Sequence, residues 1–311
     1  MINPLAAANA QGRIAVSWQR KVRGAVVLMA SVRRDGGWLT RRLDVQNQGG
    51  WSRNPAAVVV DRSDNVVVAW YRGSRGDAGS YVSRLDAGAA DWEEPVQLGT
   101  VSEPFHDCIC QPVLTEAPDG TTYVSDRIWG FPTPTGTADV SWARGEDDAT
   151  WEVDEGMPVI DAMASSVVVG DHLVVGDPTD GGRLVHELLP DGSWTTTTLE
   201  VRPDHVALTG SGRAVAIELP DYHEEDGLVR VQARLANGGW GPARVVYGLG
   251  ARVTNRTLTK YDGVARPYLW NHDVAAGPGD TVSVLLGTAP ASETWRRPDS
   301  FDVRVLSAPV A

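Results

Sequence analysis

A short turn ending in tryptophan recurs six times along the chain, and this spacing limits the fold more than any other feature. The turns are Asp35-Gly36-Gly37-Trp38, Ala90-Asp91-Trp92, Asp148-Ala149-Thr150-Trp151, Asp191-Gly192-Ser193-Trp194, Asn237-Gly238-Gly239-Trp240 and Ser292-Glu293-Thr294-Trp295. Successive tryptophans lie 54, 59, 43, 46 and 55 residues apart, the length of a four-stranded blade with its loops. Within a unit the order of events repeats. A polar residue and proline open a short apolar run, as at Asn3-Pro4, Asn54-Pro55, Gln111-Pro112 and Arg202-Pro203. A tight turn follows (Gln11-Gly12, Ser63-Asp64, Asp119-Gly120, Ser211-Gly212), then a second strand, a variable loop, a third strand, the tryptophan turn and a fourth strand. Turn residues at fixed offsets between β-branched runs are what hairpin-linked strands require.

Six such units predict an all-β fold, a six-bladed β-propeller of four-stranded antiparallel blades. One domain covers residues 1–311, with blades near 1–52, 53–108, 109–160, 161–200, 201–252 and 253–311. The alternative is a β-sandwich, which needs fewer strands than six matched units supply. A closed repeat also explains how 311 residues form one body, because each unit buries its faces on its neighbours. With 3 Phe and 4 Met against 12 Trp, the core falls to Val, Leu, Ala and Trp.

A net charge of −12 and a pI near 4.9 argue against nucleic acid and against anionic membranes as partners. No apolar run approaches the ~18 residues of a membrane-spanning helix. The N-terminal Met1-Ile2-Asn3-Pro4-Leu5 has no basic stretch leading into an apolar one, so no signal peptide is expected here. That fits a cytoplasmic protein, or a secreted one whose signal has been removed. A monomer is expected.

Propeller loops sort by face. Those joining first to second and third to fourth strands are short and repetitive here. Those joining second to third strands, and one blade to the next, are longer and chemically varied, and binding residues concentrate in such loops. The second-to-third loops are expected at Gln19–Gly24, Tyr71–Gly79, Arg127–Thr137, Pro178–Gly182, Leu219–Gly227 and Asn271–Gly279. Arg20, Arg72 and Arg127 occupy nearly equivalent positions at the ends of three second strands, and Arg256 opens another inner strand. Arginines converging there suit an anionic substrate, since guanidinium holds carboxylate in a fork. The alternative is that each pairs with an acidic neighbour between blades. Pro220-Asp221-Tyr222-His223-Glu224-Glu225-Asp226 gathers acid–base groups in one loop, and Asn271-His272-Asp273 is a shorter version. One desolvated carboxyl would make a general acid; otherwise these are solvated loops. Asp126 lies where the first two blades carry Trp18 and Trp70, a substitution that points to function more than packing.

The candidate catalytic set is therefore Asp126, His223, Glu224, His272 and Tyr71. The candidate substrate contacts are Arg20, Arg72, Arg127, Arg256, Trp51, Trp129 and Asn54, the aromatics offering flat faces for a sugar ring. In Phe105-His106-Asp107-Cys108-Ile109-Cys110 the His and Cys alternate, so an extended segment projects them to one side. Three readings stand: His106, Cys108 and Cys110 hold a soft metal such as Cu(I) or Zn, the two Cys form a strained bridge, or they are plain thiols.

These residues resemble the bacterial sialidase-like, BNR-repeat propellers. Arg34-Asp35-Gly36-Gly37-Trp38 and Pro190-Asp191-Gly192-Ser193-Trp194 look like degenerate Asp-box turns. The stretch from Cys108 through Asp119-Gly120-Thr121-Thr122-Tyr123-Val124-Ser125-Asp126-Arg127 looks like a Cys-rich blade opening found in some of them. The resemblance implies an arginine triad drawn from Arg20, Arg72, Arg127 and Arg256, a Tyr nucleophile assisted by Glu, and an Asp acid/base. The family's Arg-Ile-Pro motif is replaced by Arg127-Ile128-Trp129. A second resemblance, Leu184-Val185-His186-Glu187 through Trp194, is to six-bladed fucose-binding lectins, whose Arg, Glu and Trp site repeats between blades. The expected function is a single-site enzyme acting on a glycan or a small anionic, hydroxylated substrate, by glycoside-hydrolase-like chemistry. The alternatives are a cytoplasmic cyclase, lyase or isomerase of small-molecule metabolism, and a sugar-binding lectin.

Overall fold

The structure is a computed structural model, and it describes residues 2–9, 11–46, 56–72, 79–100, 112–129, 137–145, 148, 150–154, 158, 165–178, 182–219, 228–248, 268–276, 279–289 and 302–309. Among them there are 23 strands and no α-helix, so none contains a helix long and apolar enough to cross a membrane. The strands form five four-stranded antiparallel sheets and one three-stranded sheet. The chain divides into two compact units, Met1–Met163 with Leu188–Trp194, and Ala164–Glu187 with Thr195–Ala311.

In the first unit, β1 (Ile2–Ala8), β2 (Ile14–Val22), β3 (Ala25–Arg34) and β4 (Gly37–Gln46) make sheet one. Sheet two is β5 (Ala57–Val60), β6 (Val66–Arg72), β7 (Gly79–Leu85) and β8 (Val96–Thr100). Sheet three is β9 (Val113–Glu116), β10 (Thr122–Trp129), β11 (Thr137–Arg144) and β12 (Glu152–Val153). The first strands β1, β5 and β9 are neighbours in turn. The run Val66-Val67-Val68-Ala69-Trp70 shows why: it is apolar at every position, as a strand covered on both faces must be. Val66, Val68 and Trp70 pack with Ala15, Leu28 and Leu43 of sheet one, and Val67 and Ala69 pack with Val124 of sheet three.

The second unit repeats this arrangement. Sheet four is β13 (Ser166–Val169), β14 (His172–Asp177), β15 (Leu184–Leu188) and β16 (Trp194–Thr198). Sheet five is β17 (His205–Leu208), β18 (Ala214–Glu218), β19 (Leu228–Ala233) and β20 (Arg244–Gly248); sheet six is β21 (Tyr268–Ala276), β22 (Thr281–Ala289) and β23 (Asp302–Pro309). Ala214 and Ala216 face Val174 and Val185 of sheet four, while Val215 and Ile217 face Val282 and Val284 of sheet six. Again the first strands, β13, β17 and β21, are neighbours.

The predicted tight turns share one geometry. At Asn9, Asp61, Ala117 and Thr209 the backbone N–H donates to the carbonyl four residues on, and that first carbonyl accepts from the N–H three residues on. The donor three residues on is Gly12, Asp64, Gly120 or Gly212, at φ of 84°, 67°, 91° and 83°, the left-handed region where glycine carries no Cβ penalty. The side chains of Asn9, Asp61 and Thr209 accept the N–H of Arg13, Asn65 and Arg213. Three of the turns also reach the next sheet: Asn9 Nδ2 donates to the Asp61 carbonyl at 2.8 Å, Arg62 N donates to the Glu116 carboxylate, and Ser211 N donates to the Gly279 carbonyl at 3.0 Å.

Three expectations need correcting. The first sheet has no long second-to-third loop: Gln19, Arg20, Lys21 and Val22 pair with Leu28, Val27, Val26 and Ala25, and only Arg23 (φ 46°) and Gly24 (φ 91°) turn. Arg127 and Trp129 likewise stand in β10, opposite Asp139 and Thr137. Asn271–Ala276 is strand rather than loop, paired with Gly287 through Val282. Polar residues made these segments read as loops, but cross-strand pairing satisfies the backbone whatever side chains it carries.

Candidate functional site

The described part of the site begins at the end of β6. Trp70 and Arg72 lie two residues apart and so project to the same face of the strand. Both reach Asp44 of β4. Trp70 Nε1 donates to Asp44 Oδ2 at 2.9 Å, and Arg72 Nε donates to the same oxygen at 3.0 Å while its terminal NH2 donates to Oδ1. The guanidinium sits 4.2 Å from the centre of the Tyr81 ring, which stacks with Trp70. A bulge places Asp44 there. Leu28 pairs with Asp44 and Met29 with Arg42, so Leu43 is the extra residue and both Leu43 and Asp44 turn inward. The Asp44 carboxylate is buried (side chain 2% exposed), whereas Arg72 keeps 22% of its side-chain surface. The result is one cation gripped in a fork, stacked on an aromatic face and held in place. Tyr71, on the opposite face of β6, is buried.

Arg20 is the counterpart of Arg72, eleven residues after Asn9 as Arg72 is after Asp61, and it is exposed on β2. Nine residues after the same turn residue stand Trp18, Trp70, Asp126 and Glu218. One strand position therefore carries two indoles and two carboxyls. Asp126 lies opposite Val140 in β10. Glu218 closes β18, is 2% exposed and lies opposite Arg230, with Arg230 NH1 3.8 Å from its Oε1. Next to it, Arg202 donates from Nε to Asp204 Oδ1 at 2.6 Å, and Asp204 Oδ2 accepts the Leu219 N–H. Asp44 and Glu218 escaped the sequence reading. The signal for Glu218 was the one used for Asp126, an acid closing an apolar run where a tryptophan stands elsewhere. For Asp44 nothing local marks the bulge.

The structure places the other candidates unevenly. Asp126, Arg127 and Trp129 share β10, and His272 lies in β21 opposite Leu286; for these four the backbone is described and the side chains are not. The turn joining β21 to β22 meets the Ser211 turn, which makes β21 the first strand of its sheet and takes His272 out of the expected loop. Trp51, Asn54, His106, Cys108, Cys110, His223, Glu224 and Arg256 lie outside the described residues. Among the described residues, no three His, Cys, Asp or Glu side chains are grouped to hold a metal ion.

No family model and no curated protein matches this sequence. Solved structures do. A protein of unknown function from Dyadobacter fermentans DSM 18053 aligns over 99% of this chain and 94% of its own, with a TM-score of 0.53 and 13% identity. Virginiamycin B lyase from Staphylococcus aureus aligns over 96% and 82%, with a TM-score of 0.51 and 8% identity. A neuraminidase-like protein from A/bat/Guatemala/164/2009 aligns over 99% and 88%, with a TM-score of 0.52 and 6% identity. The likeness to a neuraminidase-like protein agrees with the sialidase-like resemblance at the level of fold only. At these identities the comparisons speak for architecture and not for chemistry: the chain has an all-β, propeller-like fold.

Proposed function

We propose that this chain is a six-bladed β-propeller enzyme with a single site on the face of its second-to-third loops, acting on a glycan or another small anionic, hydroxylated substrate by hydrolysis. The observation that carries the reading is the inequality of the strand ends. One offset after the recurring turn holds Trp18, Trp70, Asp126 and Glu218, and next to it Arg72 is locked by Asp44. A lectin that repeats its site needs the same residues in each blade, whereas one asymmetric site needs different ones. In this reading Arg20, Arg72, Arg127 and Arg256 receive the anionic group, and Trp51, Trp129 and Asn54 contact the sugar. Asp126, His223, Glu224, His272 and Tyr71 supply proton transfer and the nucleophile. A soft metal (Cu(I) or Zn) at His106, Cys108 and Cys110 is a separate proposal, tested by elemental analysis and a free-thiol count on protein purified without added metal.

The test is turnover of a panel of sialosides, uronic-acid polysaccharides and neutral aryl glycosides, followed by reducing-end and ultraviolet assays. The expected result is reducing ends without a new double bond, with Asp126→Asn and Glu224→Gln slowed by about 10²–10⁴-fold. Unsaturated sugar ends would replace hydrolysis with elimination. Calorimetric binding at several equal sites without turnover would overturn the enzyme reading in favour of a lectin.

A further inference from the structure

Sheet four carries a polar row that the proposed site does not use. Asp177 ends β14, His186 is central in β15, and Thr196 is central in β16. Asp177 Oδ2 lies 3.2 Å from His186 Nε2, and Thr196 Oγ1 lies 2.9 Å from His186 Nδ1. Asp177 and His186 are buried, at 6% and 5% exposure, while Thr196 is exposed. An ionised Asp177 takes the Nε2–H as donor, which leaves Nδ1 as the acceptor facing the threonine hydroxyl. A hydroxyl within reach of a base that a third group orients is the arrangement of an activated nucleophile.

The backbone adds a second element. Leu189 N donates to the Ser193 carbonyl and Leu199 N to the Arg183 carbonyl, so hydrogen-bonded pairs fall on odd-numbered residues. His186 and Thr196 then form a non-hydrogen-bonded pair, in which side chains approach closely. It follows that the Thr196 N–H points away from β15. Because β16 is the last strand of its sheet, that N–H faces the edge, where it can receive the oxygen of an adduct on Oγ1.

We propose that Thr196, His186 and Asp177 form a second, acyl-transfer site for esters of small carboxylic acids, independent of the function proposed above. Thr196 Oγ1 attacks the ester carbonyl carbon as its proton passes to His186 Nδ1. The carbonyl–oxygen single bond breaks, and the leaving alcohol takes that proton. Water then attacks the acyl-threonine with His186 again as base, releasing the acid and restoring the hydroxyl.

The probe is 4-nitrophenyl acetate, mixed with the full chain and followed by nitrophenol release and by peptide mass spectrometry. A burst of nitrophenol with acetyl on Thr196 is expected. Thr196→Val should abolish the burst, Thr196→Ser should keep it, and Asp177→Asn and His186→Gln should slow it by about 10²–10⁴-fold. Circular dichroism and melting curves check that each variant is folded. Because Thr196 is exposed, Thr196→Val decides the matter even if the His186 variant unfolds. A folded Thr196→Val with an unchanged burst, acetyl found only on lysine or the N-terminus, or no burst at all would overturn the proposal and leave the row as a tie between three strands.

Discussion

Asp44 holds more of the site together than its lone position in β4 suggests. Its carboxylate accepts the Trp70 indole and both arms of the Arg72 fork, inside a shell where it has almost no contact with water. Removing one partner of a buried ion pair strands the other, which costs about 3 kcal/mol or more. Asp44→Ala is therefore expected to lower unfolding free energy in urea by about 3 kcal/mol, whereas removing the exposed Asp91 or Glu94 from Arg41 should leave it nearly unchanged. Tyr123 gives a second test. Burial, followed by the charges of Asp154 and Asp119, pushes its phenol up to about 12. The folded value lies above the unfolded value near 10, so its contribution to stability is complete below pH 10 and is lost as pH rises towards 12. In an absorbance titration Tyr123 should be among the last tyrosines to ionise. Tyr123→Phe should remove that step and move alkaline unfolding to higher pH.

The strands and turns repeat because the same local chemistry repeats. At Gly212 the φ is +83° and an added Cβ would meet nothing within 4 Å, so only the backbone resists substitution. Gly212→Val should cost about 1–2 kcal/mol, with the native fold kept by circular dichroism. Gly176 serves a different need: a Cβ there would come within 2.7 Å of Val206 Cγ2 and 2.9 Å of the Pro203 carbonyl. Gly176→Ala should destabilise by about 1–3 kcal/mol through overpacking between sheets four and five, measured in the same urea titration. If the two variants ranked equally with Gly→Ala changes at exposed, φ-negative sites, neither explanation would hold.

Across the whole chain, twelve excess negative charges repel one another more than scattered surface ion pairs attract. Screening should therefore favour the folded state. Raising sodium chloride from low to physiological strength is expected to raise Tm, with a gain on the order of 1 kcal/mol worth about 2 °C at this size. A fall in Tm on adding salt would mean that pairs such as Arg144–Glu93 and Arg213–Asp280 outweigh the net charge. The same charge predicts no retention on a DNA or phosphatidylserine surface at low salt.

Sequence alone determined the all-β class, the antiparallel sheets and the tight turns at Asn9, Asp61, Ala117 and Thr209. Each rests on chemistry confined to a few neighbouring residues, such as a side-chain oxygen at Asn9 or Asp61, a left-handed residue three positions on, and β-branched runs between. It also brought Arg20 and Arg72 to notice as a position that recurs, and Asp126 as one that breaks the recurrence. Tertiary structure decided what those residues meet. That Asp44 turns inward through a bulge and takes Arg72 in a fork depends on the pairing of β3 with β4. That Asp177, His186 and Thr196 align in one row depends on the registers of three strands, the first two of them joined by a variable loop. Strand register follows from which face is buried and from the turn that joins the pair, and where that connection is a variable loop only the packing decides it. A polar residue's partner could therefore not be read from the chain, even where its position in the repeat could.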